Sequence, residues 1–432
     1  MLTASGRQFT DWSSAYRIFG NDRVDTEKLF DVARKNVLQE LSSDQMMVAH
    51  LDDTIIKKTG KKVAGTAWRR DPLGPPFHTN FIWGQRFLQI SMALPGQESN
   101  CQSKAIPIDF HHCPTVKKPN RFAGAHQLKT FREQQREAKL SKQASLRIQQ
   151  LRNKLNAQGE EKRQLVISVD GSYTNNTVLK SLSKGVTLIG RIRKDAKLYL
   201  PPKQQTGAGR KRVYGDQLPT PEQIRQSDEF PWQKVKAWAA GKSHGFDVKI
   251  IKDLRWRSAG KLHDLQLIII RPLGYRLTKN SKILYRQPAY LICTDCKLAL
   301  DKLLQAYLWR WEIEVNFRDE KTLMGCGQAQ VRTEKAVRNL PAFITAIYSY
   351  IHLAAHRACQ SRNESFLPRP KWYPAKPEQR ITSSEIINLF RTQLWFKETK
   401  NNFSGFVKKQ HQLRSLKNCT NPLTAAILYA RK

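Results

Sequence analysis

The chain contains no apolar run of 18 or more residues, so no segment reaches the roughly 20 residues with which a helix spans a bilayer. Its strongest apolar stretch, LQLIIIRPL at 265–273, is interrupted and strand-sized. The opening MLTASGRQFTDW lacks a continuous apolar core, which argues against a secretory leader and predicts a cytoplasmic protein without a membrane partner. Cysteine is sparse: seven residues, an odd number without regular spacing, predict free thiols in a reducing compartment and exclude a disulfide framework. Acids are also scarce, with 36 Asp and Glu against 74 Lys and Arg, a net charge of +38. A soluble chain that basic repels itself until it meets a polyanion, and the usual one is nucleic acid. Basic residues occur in nearly every part of the sequence, which predicts a broad footprint and not one basic tail.

What is present organises itself along the chain. FTDWSSAYRIFG and TEKLFDVARKNVLQEL make residues 1–45 a helical lead-in. MMVAHLDDT then reads as a buried strand that delivers Asp52 and Asp53 at its C-terminal end, and RFLQISMAL (86–94) as another strand. From about 127 to 158 there is no Gly or Pro, and Gln, Lys, Arg, Leu and Ala dominate; this predicts one long helix. LVISV follows as a strand ending in Asp170, then a helix at TVLKSL and a strand at VTLIGRIR. Strands alternating with helices indicate an α/β mixed sheet flanked by helices. Residues 196–287 are rich in turns and antiparallel strand signals and read as a β-rich insertion, after which PAYLICTD returns to the core. A helix is expected from about Asp301 to Gly325, a further long helix from TEKAVRNL onward, then a Pro-rich linker and a final helix at SSEIINLFRTQLW.

Chemistry concentrates in YLWRWEIEVNFRDEK, residues 307–321. At about 100° per residue, Tyr307, Arg310, Glu314 and Lys321 share one narrow stripe, while Glu312, Asp319 and Glu320 fall well away from it. Glu314 is thereby singled out, although helix-surface ion pairs give the same pattern at only about 0.2–0.5 kcal/mol each. Three acids, Asp53 or its neighbour Asp52, Asp170 and Glu314, each end or line an element that reaches one sheet edge. Three carboxylates do not stay ionised together without cations, and an all-oxygen ligand set suits a pair of Mg²⁺ ions, with Mn²⁺ as a substitute, better than zinc. FHHCP (110–114) and the lone C-x-x-C at Cys293 and Cys296 are read as packing residues, and GAGRKR lacks the phosphate-loop spacing, so no nucleotide cofactor is expected.

YLWRWEIEVNFRDEK resembles the tyrosine-arginine-glutamate-lysine signature of bacterial insertion-sequence transposases of the DDE class, with its gaps of two, three and six residues. LDDT and VISVDGSYTNN resemble the first and second acid motifs of that family, and LIGRIRKDAKLY the strand after the second. The resemblance implies an RNase H-like catalytic core in two parts, 46–195 and 288–365, around the β-rich insertion 196–287. Helical segments at 1–45 and 366–432 would contact DNA or a second subunit. It implies cut-and-paste transposition: 3′ nicking at the element's ends, hairpin formation and opening, and strand transfer to target DNA. Asp53, which directly precedes the hydroxyl residue Thr54, is by resemblance the better match for the first metal ligand, with Asp170 and Glu314 as the others. Tyr307, Arg310 and Lys321, with Arg318, would grip double-stranded DNA beside the scissile bond. Trp311 and, from the insertion, Trp256 are candidates to stack on a displaced base. Lys57, Lys58, Lys61, Lys62, Arg69 and Arg70 follow the first acid and are expected on phosphates. Pairing two ends implies a homodimer on DNA, and the family implies a bacterial, nucleoid-associated location.

Overall fold

The computed structural model describes residues 11–391, apart from residues 22, 72–73, 76, 79, 97–101, 203–209, 261–263, 277, 279 and 361–380. The Pro-rich linker, the first half of GAGRKR and the 392–432 part of the expected dimer or DNA contact lie outside the described residues. Strands are β1 (Met47–Lys57), β2 (Ala67–Arg70), β3 (Phe81–Pro95), β4 (Ser103–His112), β5 (Leu165–Val169), β6 (Val186–Arg191), β7 (Leu198–Tyr199), β8 (Gln233–Ala239), β9 (Lys242–Trp256), β10 (Leu265–Ile270), β11 (Gly274–Tyr275), β12 (Leu284–Tyr285) and β13 (Ala289–Cys293). Helices are α1 (Ser13–Gly20), α2 (Thr26–Glu40), α3 (Ala125–Glu137), α4 (Leu140–Asn156), α5 (Asn176–Lys180), α6 (Pro221–Gln226), α7 (Leu300–Leu308), α8 (Trp311–Thr322) and α9 (Glu334–Gln360). Residues 383–391 add a further helix, opened by Thr382, whose hydroxyl accepts from the Glu385 amide at 3.2 Å.

β1 lies at the centre, antiparallel to β3 and parallel to β5, and β5 runs parallel to β6. β4 pairs antiparallel with β3 beyond. The order β4-β3-β1-β5-β6 is the RNase H-like mixed sheet, with helices on both faces. Among the described residues, the β-rich stretch does not form a sheet of its own apart from the β11–β12 hairpin; β10, β9 and β8 continue the central sheet past β13 by antiparallel pairing.

Alternation along β1 and β5 sends successive side chains to opposite faces. Met47, Ala49, Leu51, Leu165, Ile167 and Val169 meet α2 and α4 in the larger cluster. Val48 and Val166 join Leu303, Leu304 and Ala306 of α7 on the other face. α4 docks through Ala144, Ile148, Leu151 and Leu155, spaced four, three and four apart, a helical stripe matched to the sheet. α3 buries no residue. That difference breaks the single helix expected over 127–158: Lys139 is extended at φ −61 and ψ 134, and Gln143 Nε2 caps the Glu137 carbonyl at 2.8 Å. With neither Gly nor Pro at the break, only docking of α4 marks it.

β1 also runs further than expected. It continues to Lys57, so Asp52 and Asp53 lie inside the strand and not at its end.

Candidate active site

The 307–321 stretch is two helices. α7 ends at Leu308 and α8 starts at Trp311, with Trp309 and Arg310 in a tight turn between them; the Arg310 amide bonds the Tyr307 carbonyl at 3.1 Å. Gln305 is buried and exchanges both side-chain hydrogen bonds with the Trp238 backbone of β8, at 2.8 and 3.2 Å. α7 is thus pinned to β8, while α8 packs on β1 and β4. The face of α8 turned inward is Ile313, Asn316, Phe317 and Glu320. Asn316 Nδ2 reaches Ser91 Oγ at 3.2 Å and the Ala105 carbonyl at 2.9 Å. Glu314, just off this stripe, keeps 35% exposure and is turned toward β1.

Arg310 links α8 to β1 at the candidate cleft. Its guanidinium bonds Asp52 Oδ2 at 3.3 Å and Glu314 Oε1 at 3.0 Å, with its cationic carbon 5.9 Å from the Tyr307 ring centre. Asp170 stands one residue past the last β1–β5 pair, Leu51 opposite Val169, and its charge acts on Asp52, Arg310 and Tyr307. Asp52, Asp170 and Glu314 therefore share one face, the face of α7. Burial pushes the Asp52 carboxyl up to about 7, Arg310 and the Asp53 amide pull it down, and Asp53 and Asp170 raise it further. His50, two residues earlier on the same face, is buried; its Nδ1 lies 2.7 Å from Ser168 Oγ, and burial, then Arg310, push its pKa down to about 3.

Asp53 points the other way. It receives the Tyr173 hydroxyl and lies 3.3 Å from Arg86 Nε, an ionic contact without hydrogen-bond alignment. The preference for Asp53 over Asp52 thus meets a geometric correction: strand alternation places Asp52, not Asp53, beside Arg310 and Glu314. The acidic pair alone carries no signal for this choice, because the face on which α8 docks is set by distant contacts. The parity shared by Asp52, His50 and Val48 is the signal that finds it once the sheet is known.

The other sequence candidates separate. Tyr307 is half-buried, with burial raising its hydroxyl, and Lys321 is half-buried in the last turn of α8, its pKa lowered by burial. Trp311 is 62% exposed at the start of α8. Arg318 is exposed and pairs with Asp319 at 2.9 Å. Lys58 is a structural tie: its ammonium bonds the Gly327 and Ala329 carbonyls at 2.9 and 3.4 Å. Arg69 bonds the Gly84 and Cys113 carbonyls and Thr115 Oγ1. Lys57 lies 3.6 Å from Asp71; Lys61, Lys62 and Arg70 are exposed. Trp256 packs against the cluster on the α4 face, the side of the sheet away from Glu314, which removes it from the cleft.

Among the described residues, no three Asp, Glu, His or Cys side chains are arranged to hold a metal ion as they stand. The donor set nevertheless fits a hard cation: it is all oxygen, and positive charge is already held between Asp52 and Glu314 by Arg310. No helix of the described residues is long and apolar enough to cross a membrane. A search of curated proteins returned no match. A family profile described as DDE superfamily endonuclease matches residues 4–245, more than half of the chain, taking in Asp52, Asp53 and Asp170 and ending before Glu314. With the RNase H-like sheet and the shared acidic face, that match makes the conclusion plain: the chain belongs to the DDE superfamily endonucleases, whose substrate is DNA.

Proposed function

We propose that the chain is a DDE transposase that nicks DNA at the ends of a mobile element, frees it through a hairpin and joins its 3′ ends to target DNA. The observation that carries this reading is Asp52, Asp170 and Glu314 on one face of the sheet, with Arg310 bridging Asp52 and Glu314 and Asp170 next to the last β1–β5 pair. These three carboxylates would hold two Mg²⁺ ions, or Mn²⁺. Bound there, such ions lower the pKa of water and offset charge on the phosphate oxygens. Arg310, once released from the carboxylates, turns to a phosphate beside Tyr307 and Lys321. Trp311, exposed at the start of α8, would stack a base displaced from a distorted end. Joining two ends requires two such sites and therefore a homodimer on DNA.

The test is a cleavage and joining assay with Mg²⁺ on DNA carrying the sequences that flank the coding region. Strand-transfer products support the transposase; cleavage without joining indicates a nuclease on the same core; binding alone indicates a non-catalytic DNA-binding protein. Asp170→Ala and Glu314→Ala are expected to bind DNA and to lose both reactions. Robust cleavage by either variant rejects the site.

A further inference from the structure

Outside the cleft, the β2–β3 ribbon exposes large aromatic rings among cations. β2 alternates, with Ala67 and Arg69 turned in and Trp68 and Arg70 out. Trp68 lies opposite Trp83 and Arg70 opposite Phe81, so all four side chains share one face. Trp68 is 67% exposed and Phe81 59%. The two indoles meet edge to face, centroids 5.5 Å apart at 65°. Trp83 is held by its ring N–H, which donates to the Gly60 carbonyl at 3.2 Å, and by its carbonyl, which accepts from the Lys58 amide at 2.9 Å. The loop so fixed carries the exposed Lys61 and Lys62.

We propose that this ribbon is a platform for unpaired DNA, with a base stacked on Trp68 and the backbone followed by Arg70, Lys61 and Lys62. The proposal deepens the reading of the cleft as a DNA-processing site and rests on it. Three features support nucleic acid over a protein partner. Three rings and Arg70 share one face, with Lys61 and Lys62 on the loop that Trp83 holds, and rings beside cations bind single strands without reading sequence, since every base has a π-face. The cations carry charge complementary to phosphates, on a chain of net charge +38. The platform also lies on the strand pair that carries the first acid: β1 holds Asp52 and, five residues on, Lys57, which pairs with Gly84 beside Trp83, roughly 17 Å along the strand at about 3.3 Å per residue. An end opened at the acids leaves an unpaired strand within reach of the ribbon.

The test is binding of a labelled oligo-dT strand and of a duplex of equal length by the full chain without divalent cation, together with quenching of tryptophan fluorescence. Trp68→Ala is expected to weaken oligo-dT binding roughly tenfold, the worth of one base stack, and to leave duplex binding within about twofold. Trp68→Phe, which keeps a ring, should recover most of the loss, and Arg70→Ala should reduce the salt dependence of oligo-dT binding. Unchanged oligo-dT affinity in Trp68→Ala, an equal loss on duplex, or a preference for oligo-U over oligo-dT overturns the platform. So does a changed sedimentation coefficient in place of a binding defect, which marks the face as a protein interface. Wild-type protein that binds neither DNA sinks the functional reading itself, so the two failures are told apart.

Discussion

Asp52 and Asp53 are neighbours with opposite fates. Asp52 faces Arg310, whereas Asp53 sits between Tyr173 and Arg86 on the far side of the strand. Asp52→Asn is expected to lower Mg²⁺-dependent cleavage by more than about 100-fold, since even groups that merely support a metal ligand are worth roughly 10–100-fold. Asp53→Asn should leave cleavage within a few-fold and lower stability by about 1–3 kcal/mol, because Tyr173 and Arg86 lose their charged partner in a half-buried site. Cleavage rates and urea melts of both variants check this; the reverse pattern moves the site to the other face. LDDT and VISVDGSYTNN were enough to nominate the acids. Which acid of the pair faces Glu314 was not, because parity has meaning only after the strand has partners.

At the scale of elements, α8 is oriented by polar groups buried beneath it. Asn316, Asp319 and Glu320 are 3%, 3% and 1% exposed. With the Gln89 amide turned so that its oxygen accepts from Ser91 Oγ at 3.0 Å, its nitrogen donates to both Glu320 oxygens at 3.2 Å. Burial raises the Glu320 pKa well above 4.5, with Gln89 and Lys321 opposing. The folded state therefore binds a proton that the unfolded state releases, so this group's contribution to stability falls as pH rises above about 4.5. Glu320→Gln should remove that dependence: its stability relative to the native protein improves steadily from pH 4.5 upward in paired denaturation curves, and a constant difference refutes the assignment. Glu320→Ala should cost about 2–4 kcal/mol near pH 4.5 by leaving a cavity and unpaired polar groups, and less as pH rises, because it too lacks the buried acid. Both readings treat Glu320 as a support for α8 and not as part of the cleft. From sequence, Glu320 and Asp319 read only as acids off the stripe, since burial is decided by β3, β4 and α9 closing over them.

For the whole molecule, the excess of Lys and Arg is the dominant long-range force. Each phosphate neutralised releases counterions, so log affinity should fall with log salt by about 0.9 per contact on duplex DNA. Raising salt from 50 to 200 mM is expected to weaken duplex binding at least 100-fold in fluorescence anisotropy titrations; a flat response removes the case for an extended basic footprint. Lys58 and Arg69 belong to the fold through carbonyl contacts, so their replacement should lower stability before it changes the salt slope.

Composition and local pattern were enough to read a nucleic-acid partner and the succession of the main strands. Net charge needs no fold to attract a polyanion, and hydrophobic periodicity is a local property that β1, β5, β6 and β13 express wherever they pair. Long-range packing set the rest: the break between α3 and α4, the turn at Trp309 and Arg310, the merging of the β-rich stretch into the central sheet, and which acid of the pair faces Arg310. Each of these depends on which surfaces meet, and the free energy of such meetings comes from residues far apart in the chain, where local pattern carries no record of it.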